Sequence, residues 1–220
     1  MDFISKYFSS INNIALNDFD NEDIRNAFKS GSEILLDASK KAKIKDDFQS
    51  LYFEPTATII SLIESEKTKS SYNLLYDLYT GEIVFYSSIR NWENIKNIDD
   101  KFWAELIQAC EHCEIKFSAD SGPFYDKEKT PEFNANFKSM IFNIMSVYVT
   151  GMLEDKKERE NFGFGQFEVS WNLGDICIAD FISELNIAFK IFYRFNYLLW
   201  KTEDIRRQNR INRNKKKRKK

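Results

Sequence analysis

Glycine and proline are scarce in this 220-residue chain, at 7 and 3 residues. That scarcity excludes collagen-like and low-complexity linker classes. Histidine occurs once and cysteine three times. Three thiols, Cys110, Cys113 and Cys177, make no disulfide framework in a chain of this size and suit a reducing compartment. A clean apolar run is also missing. The most apolar stretch, Ile176 to Trp200, is interrupted by Asp180, Glu184, Asn186, Lys190, Arg194 and Asn196, too many polar groups for a bilayer-spanning helix. The opening residues, MDFISKYFSSINN, lack the basic and apolar regions of a signal peptide. The expectation is a soluble cytoplasmic protein. Neither a Gly-x-Ser-x-Gly elbow nor a Walker pattern appears, and Gly163-Phe164-Gly165 is too short for a phosphate-binding loop, so it reads as a bend into the strand that follows.

What the chain does have is ring surface. Twenty Phe and ten Tyr are incompatible with a disordered polymer, and the length suits one domain with a core of its own. Charge is divided unevenly. From Arg206 to Lys220 there are ten Lys or Arg and no acid. Subtracting these from 32 basic residues leaves 22 against 34 acids, so residues 1–205 carry −12 and the tail +10. The chain thus reads as a single globular domain, 1–205, followed by a basic tail, 206–220, either disordered or a helical extension.

Periodicity predicts helices first. Phe3, Ile4, Tyr7, Phe8, Ile11 and Ile14 recur at three- and four-residue steps. Asp20 can cap a second helix with Ile24, Ala27, Phe28, Leu35 and Ala38 inward, in which Gly31 costs about 1 kcal/mol relative to Ala. Pro55 suits the first turn of a short helix running to about Lys67, with a strand through Thr58–Ile63 as the competing reading. Tyr72 to Ser87 alternates around the turn residues Thr80-Gly81 and predicts a hairpin. Asp99 or Asp100 caps a helix carrying Phe102, Trp103, Leu106, Ile107 and Cys110. Ser118 to Pro131 reads as a loop. Asn134–Thr150 is a helix apolar nearly all round, which places it at the centre of a packed domain. Glu154–Glu160 is a solvated charge run, and Phe167, Val169 and Trp171 mark a third strand. A last helix begins near Gly174-Asp175 with a polar stripe of Asp180, Ser183, Lys190, Arg194 and Lys201. The expected fold is α+β and predominantly helical: five or six helices packed with a small antiparallel sheet of one hairpin plus one strand.

Chemistry-bearing clusters are few. Cys110-Glu111-His112-Cys113 holds zinc-type ligands, but a structural site wants four, and on a helix His112 points away from the face shared by the two thiols. It reads as two half-buried thiols and a surface His, so no metal or cofactor is expected. Asp99 or Asp100 followed by Glu114-Ile115-Lys116 has the acid and acid-x-Lys pattern with which a metal-dependent nuclease holds Mg²⁺ and positions water. The same residues also read as helix caps and a surface charge pair. Trp92 lies in a polar stretch and reads as a cover on the edge of the core.

The tail is the distinctive feature. Arg206, Arg210, Arg213 and Lys217 share one face if the last helix continues, and Arg207, Lys215, Lys216, Arg218, Lys219 and Lys220 complete the set of candidate nucleic-acid-binding residues. Gln208, Asn209, Asn212 and Asn214 are interleaved, and such residues reach phosphates and base edges. No aromatic is present to stack on single strands. In a nucleated cell the run also reads as a nuclear localisation signal. The expectation is a non-enzymatic interaction protein, with no catalytic residue, whose acidic domain binds a protein partner and whose tail contacts nucleic acid. The alternative is a nuclease built on Asp99/Asp100, Glu114 and Lys116.

Overall fold

Helix caps and a stripe of phenylalanines account for much of the architecture. The structure, a computed structural model, describes residues 2–16, 20–51, 58–119, 137–155 and 163–217. Helices α1 (Phe3–Ala15) and α2 (Asn21–Lys41) pack together through Tyr7, Phe8, Ile11 and Ile14 of the first and Ala27, Ile34, Leu35 and Ala38 of the second. Asp20 starts α2 with a capping box: its carboxylate accepts the backbone N–H of Glu22 at 2.7 Å and of Asp23 at 2.9 Å, and the Asp23 carboxylate accepts the Asp20 N–H in return.

The sheet is larger than one hairpin plus one strand. Its six strands are β1 (Phe48–Leu51), β2 (Thr58–Ser65), β3 (Ser71–Asp77), β4 (Glu82–Ser88), β5 (Lys116–Ser118) and β6 (Gln166–Asn172), all antiparallel in the order β1-β2-β3-β4-β6-β5. The hairpin is β3–β4 and the expected third strand is β6; β1, β2 and β5 are the correction. The helix expected from Pro55 to Lys67 is replaced over its described part by β2. Its Ile59, Ile60, Leu62 and Ile63 fit either period, but pairing on both sides, with β1 and β3, satisfies its backbone as a strand. Ile59, Ser61, Ile63 and Ser65 then alternate inward. β1 and β5, of four and three residues, are too short to carry a pattern, and each forms on a longer neighbour.

One face of the sheet is covered by helix. In register, Tyr72, Phe85 and Phe167 point to the same side, and α5 (Ile178–Lys217) crosses them. Phe189 stacks on Tyr72 and Phe85 at centroid distances of 4.8 and 5.7 Å, and Phe192 on Phe85 and Phe167 at 5.2 and 5.5 Å. Phe195 meets Phe167 edge-on and Phe102, each at 5.1 Å. Offset and edge-to-face ring pairs of this kind add about 0.5–1.5 kcal/mol each beyond the area they bury. Phe102 belongs to α3 (Asp100–Cys110), whose N-cap Asp99 accepts the Phe102 N–H at 2.9 Å. A 3₁₀ helix, Trp92–Asn97, follows Asn91 in the left-handed conformation, φ 54°. Trp92 is a core residue, stacked on Phe164 at 5.6 Å. Gly165, at φ 138°, has no room for a side chain, because a Cβ there would stand 2.5 Å from the Ser118 carbonyl oxygen, and the Gly163–Gly165 segment bends into β6.

Helix α4 (Phe137–Leu153) departs from its expected central position. Met140 and Ile144 are buried, yet Phe142, Met145, Val149 and Leu153 are 62, 39, 55 and 82% exposed. An apolar sequence on every side of a helix does not by itself say that every side is covered. Among the described residues the fold thus comprises five α-helices, one 3₁₀ helix and the six-stranded sheet. Most of the loop expected from Ser118 to Pro131, and most of the charge run Glu154–Glu160, lie outside the described residues.

Candidate nucleic-acid interface

The basic residues sit on a helix that is anchored upstream by polar contacts as well as rings. Asn196 of α5 is buried at 2% exposure. Its Nδ2 donates to Ser87 Oγ at 3.1 Å and the Ser88 carbonyl at 3.3 Å, while its Oδ1 accepts the Arg90 N–H at 3.4 Å. Asn94, equally buried, donates from Nδ2 to the Leu199 carbonyl at 3.2 Å. Its Oδ1 accepts the Arg206 guanidinium. Arg194 pairs with Glu105 of α3. On the other side, Tyr193 OH donates to Asp46 Oδ2 at 3.0 Å, and Ser65 Oγ donates to the same oxygen at 2.5 Å. Burial, together with the neighbouring Asp46 carboxylate, raises the Tyr193 phenol above its ordinary value, so the hydroxyl stays a donor.

Past Arg206 the helix leaves the body. Arg207 through Arg213 are all exposed, and the backbone stays helical to Lys217. Asp204 is the last acid in the chain. Glu203 pairs with Arg206 at 3.8 Å and with Arg210 at 3.1 Å, the latter with 70% of its side chain exposed. Arg206, Arg207, Arg210, Arg213, Lys215, Lys216 and Lys217 are seven cations on twelve helical residues, an axial length of about 18 Å, or about one charge per 2.6 Å. Duplex DNA carries one phosphate charge per about 1.7 Å of axis, a comparable density of opposite sign. Arg218, Lys219 and Lys220 lie outside the described residues.

The acids of the nuclease alternative are not brought together. Asp99 is occupied as the N-cap of α3 and Asp100 is exposed in its first turn. Glu114 lies beyond the other end of that helix, about 16 Å along eleven residues. Glu114 and Lys116 pair with each other at 3.3 Å, the Glu114 side chain 82% exposed. Among the described residues, no three His, Cys, Asp or Glu side chains are grouped to hold a metal ion.

The Cys110–Cys113 cluster sits where α3 ends: the N–H groups of His112 and Cys113 both reach the Ala109 carbonyl at 3.0 Å, turning the chain. His112 is exposed, Cys110 half-buried and Cys113 buried, and all three cysteines are free. Burial pushes the Cys110 thiol up to about 11 and raises Cys113 as well, with nearby Glu184 adding to the latter. At neutral pH both are protonated and poor nucleophiles.

Sequence reasoning located the basic residues by composition. It did not find Asn94 and Asn196, although an uncharged amide at position 196, inside an otherwise apolar run, is the kind of signal that marks a buried polar clamp. No helix among the described residues is long and apolar enough to cross a membrane. The chain matches no protein-family model, no curated protein and no solved structure.

Proposed function

We propose that this is a non-enzymatic interaction protein whose acidic body binds a protein partner and whose C-terminal helix end contacts nucleic acid. The supporting observation is the course of α5: ring stacking and the Asn94 and Asn196 clamps hold its first part, and the basic part continues outward without a break in the helix. A rigid helix of about 10–12 Å diameter matches the width of a B-form major groove, about 12 Å. The lack of interleaved aromatic residues disfavours single-strand stacking. Phosphate contact by Arg and Lys releases condensed counterions, so the salt dependence reports how many charges engage.

Fluorescence anisotropy of a labelled duplex and a labelled RNA, titrated with full chain from about 50 to 200 mM salt, tests this. Engaging about eight of the ten tail charges gives a log–log slope near −7 on duplex and about −6 on single strands, a loss of roughly four decades on duplex over that range. Deleting Arg206–Lys220 should abolish binding, and Arg207→Gln with Arg210→Gln and Arg213→Gln should flatten the duplex slope by about 3. Binding retained by the truncated chain, or none at the lowest salt, overturns the reading.

A further inference from the structure

The exposed side of α4 is an ordered stripe. Phe142, Met145, Val149 and Leu153 recur at intervals of three, four and four, the spacing of a helix–helix seam. No charged residue occurs from Ser139 to Leu153 in a chain that is 30% charged. A face intended only for water would not be built this way. At about 150–200 Å² of side chain per residue, these exposures leave roughly 450 Å² of apolar surface open, within the range of about 300–600 Å² found for the largest, often functional, patch on a monomer.

We infer that a second copy of this chain covers the stripe, with the two α4 helices antiparallel about a two-fold axis. This rests on the reading of the body as a protein-binding surface and names that partner. The stripe is complementary to itself in that orientation. With the axis between positions 147 and 148, Phe142 faces Leu153 of the second copy, while Met145 and Val149 meet the smaller Thr150 and Ser146. Thr150 can be covered without stranding its hydroxyl, because Oγ1 already donates to the Ser146 carbonyl at 3.1 Å. Charge supports the same choice. The body carries −12 and repels its like over most of its surface, whereas this face is neutral. The pair of stripes with its margins removes about 1,000 Å² from water, at the lower limit for a specific interface, so the dimer is a reversible one.

Sedimentation velocity on the full chain across a wide concentration range tests this. The mass should climb from 26.0 kDa toward twice that value, and should do so at least as readily at high salt, which screens the repulsion between the acidic bodies. Val149→Glu, at a position 55% exposed in the single chain, should keep the wild-type circular dichroism and weaken dimerisation at least about tenfold. In a background with exposed Cys177 replaced by Ser, a mixture of Phe142→Cys and Leu153→Cys chains should cross-link faster than either alone. A monomer at every concentration overturns the pairing, as does association that salt dissolves or that Val149→Glu leaves untouched. Faster cross-linking of each cysteine variant with itself overturns the antiparallel arrangement. Binding of monomers to neutral phosphatidylcholine vesicles would assign the stripe to a lipid surface instead. Each of these results is independent of the salt slope on nucleic acid, so failure here is distinguishable from failure of the tail reading.

Discussion

Gly31→Ala reverses the sign that helix propensity alone assigns. In an unencumbered helix, Ala in place of Gly gains about 0.8–1.0 kcal/mol. In α2 the methyl has no room. A Cβ at position 31 would stand 2.8 Å from Ser61 Cβ, nearer still to Ser61 Oγ, and 3.1 Å from Tyr7 Cε2. Ser61 is fully buried on β2 and its hydroxyl donates to the Phe28 carbonyl at 2.9 Å, so it cannot swing into solvent. Relief requires α2 to lift from β2 or Ser61 to abandon its acceptor. Overpacking costs about 1–3 kcal/mol, and stranding a buried hydroxyl about 1–3 more. Net of the propensity gain, the expected loss is about 2–3 kcal/mol. For a domain of this size that is a fall in Tm of about 5–10 °C, read by circular dichroism melts of wild type, Gly31→Ala, Ser61→Gly and the double variant. Ser61→Gly frees the space, so the double variant should lose less than the sum of the singles by about 1 kcal/mol or more. A Gly31→Ala protein that melts at or above wild type, or strictly additive losses, refutes the close-approach argument.

Deleting Arg207–Lys220, which spares the Arg206 contact to buried Asn94, should leave the melt within a few degrees of the full chain, since the exposed helix end adds little apolar burial; a fall beyond about 8 °C would make that segment structural. Alkaline pH should be destructive. Burial raises the phenols of Tyr7, Tyr72 and Tyr193 and the thiols of Cys110 and Cys113, with Cys110 at about 11. The folded chain therefore keeps protons that the unfolded chain releases above about pH 9, and stability falls as pH rises, by up to about 1.4 kcal/mol per unit for each group. Tm measured from about pH 8 to 11 should drop steeply, and a flat profile would contradict the burial of these groups. Tyr7→Phe, which removes a hydroxyl buried without a partner among the described residues, should melt no lower than wild type at neutral pH and should soften the alkaline fall.

Where local chemistry decides, the sequence was legible. The Asp20 and Asp99 caps, the α1 stripe and the β3–β4 hairpin each follow from residues close together in the chain. Thr58–Ser65 was not, because Ile59, Ile60, Leu62 and Ile63 satisfy both periods and the choice is made by partners up to nineteen residues distant, in register with Asp77. Three-residue β5 has no pattern at all and exists through β6. The α4 error has a different origin: hydrophobicity reports what a helix face prefers, and whether the single chain supplies a cover is a tertiary fact. For the candidate site, the tail's charge is plain in composition, but the Asn94 contact to Arg206 spans 112 residues and no local rule foresees it.

The continuity of α5 makes the molecule a lever. From Phe181, wedged against Phe8 and Trp171, to Lys217 the helix spans 36 steps, about 54 Å. Its fulcrum is the phenylalanine bed on the sheet, centred on Phe192 and about 38 Å from Lys217, so a tilt of about ten degrees there would sweep the basic end by roughly 6–7 Å. A load on that tip, in turn, exerts its torque on Asn94 and Asn196, the two amides nearest the point of exit. Strain applied at the far end would thus be felt first at the 3₁₀ helix and the end of β4.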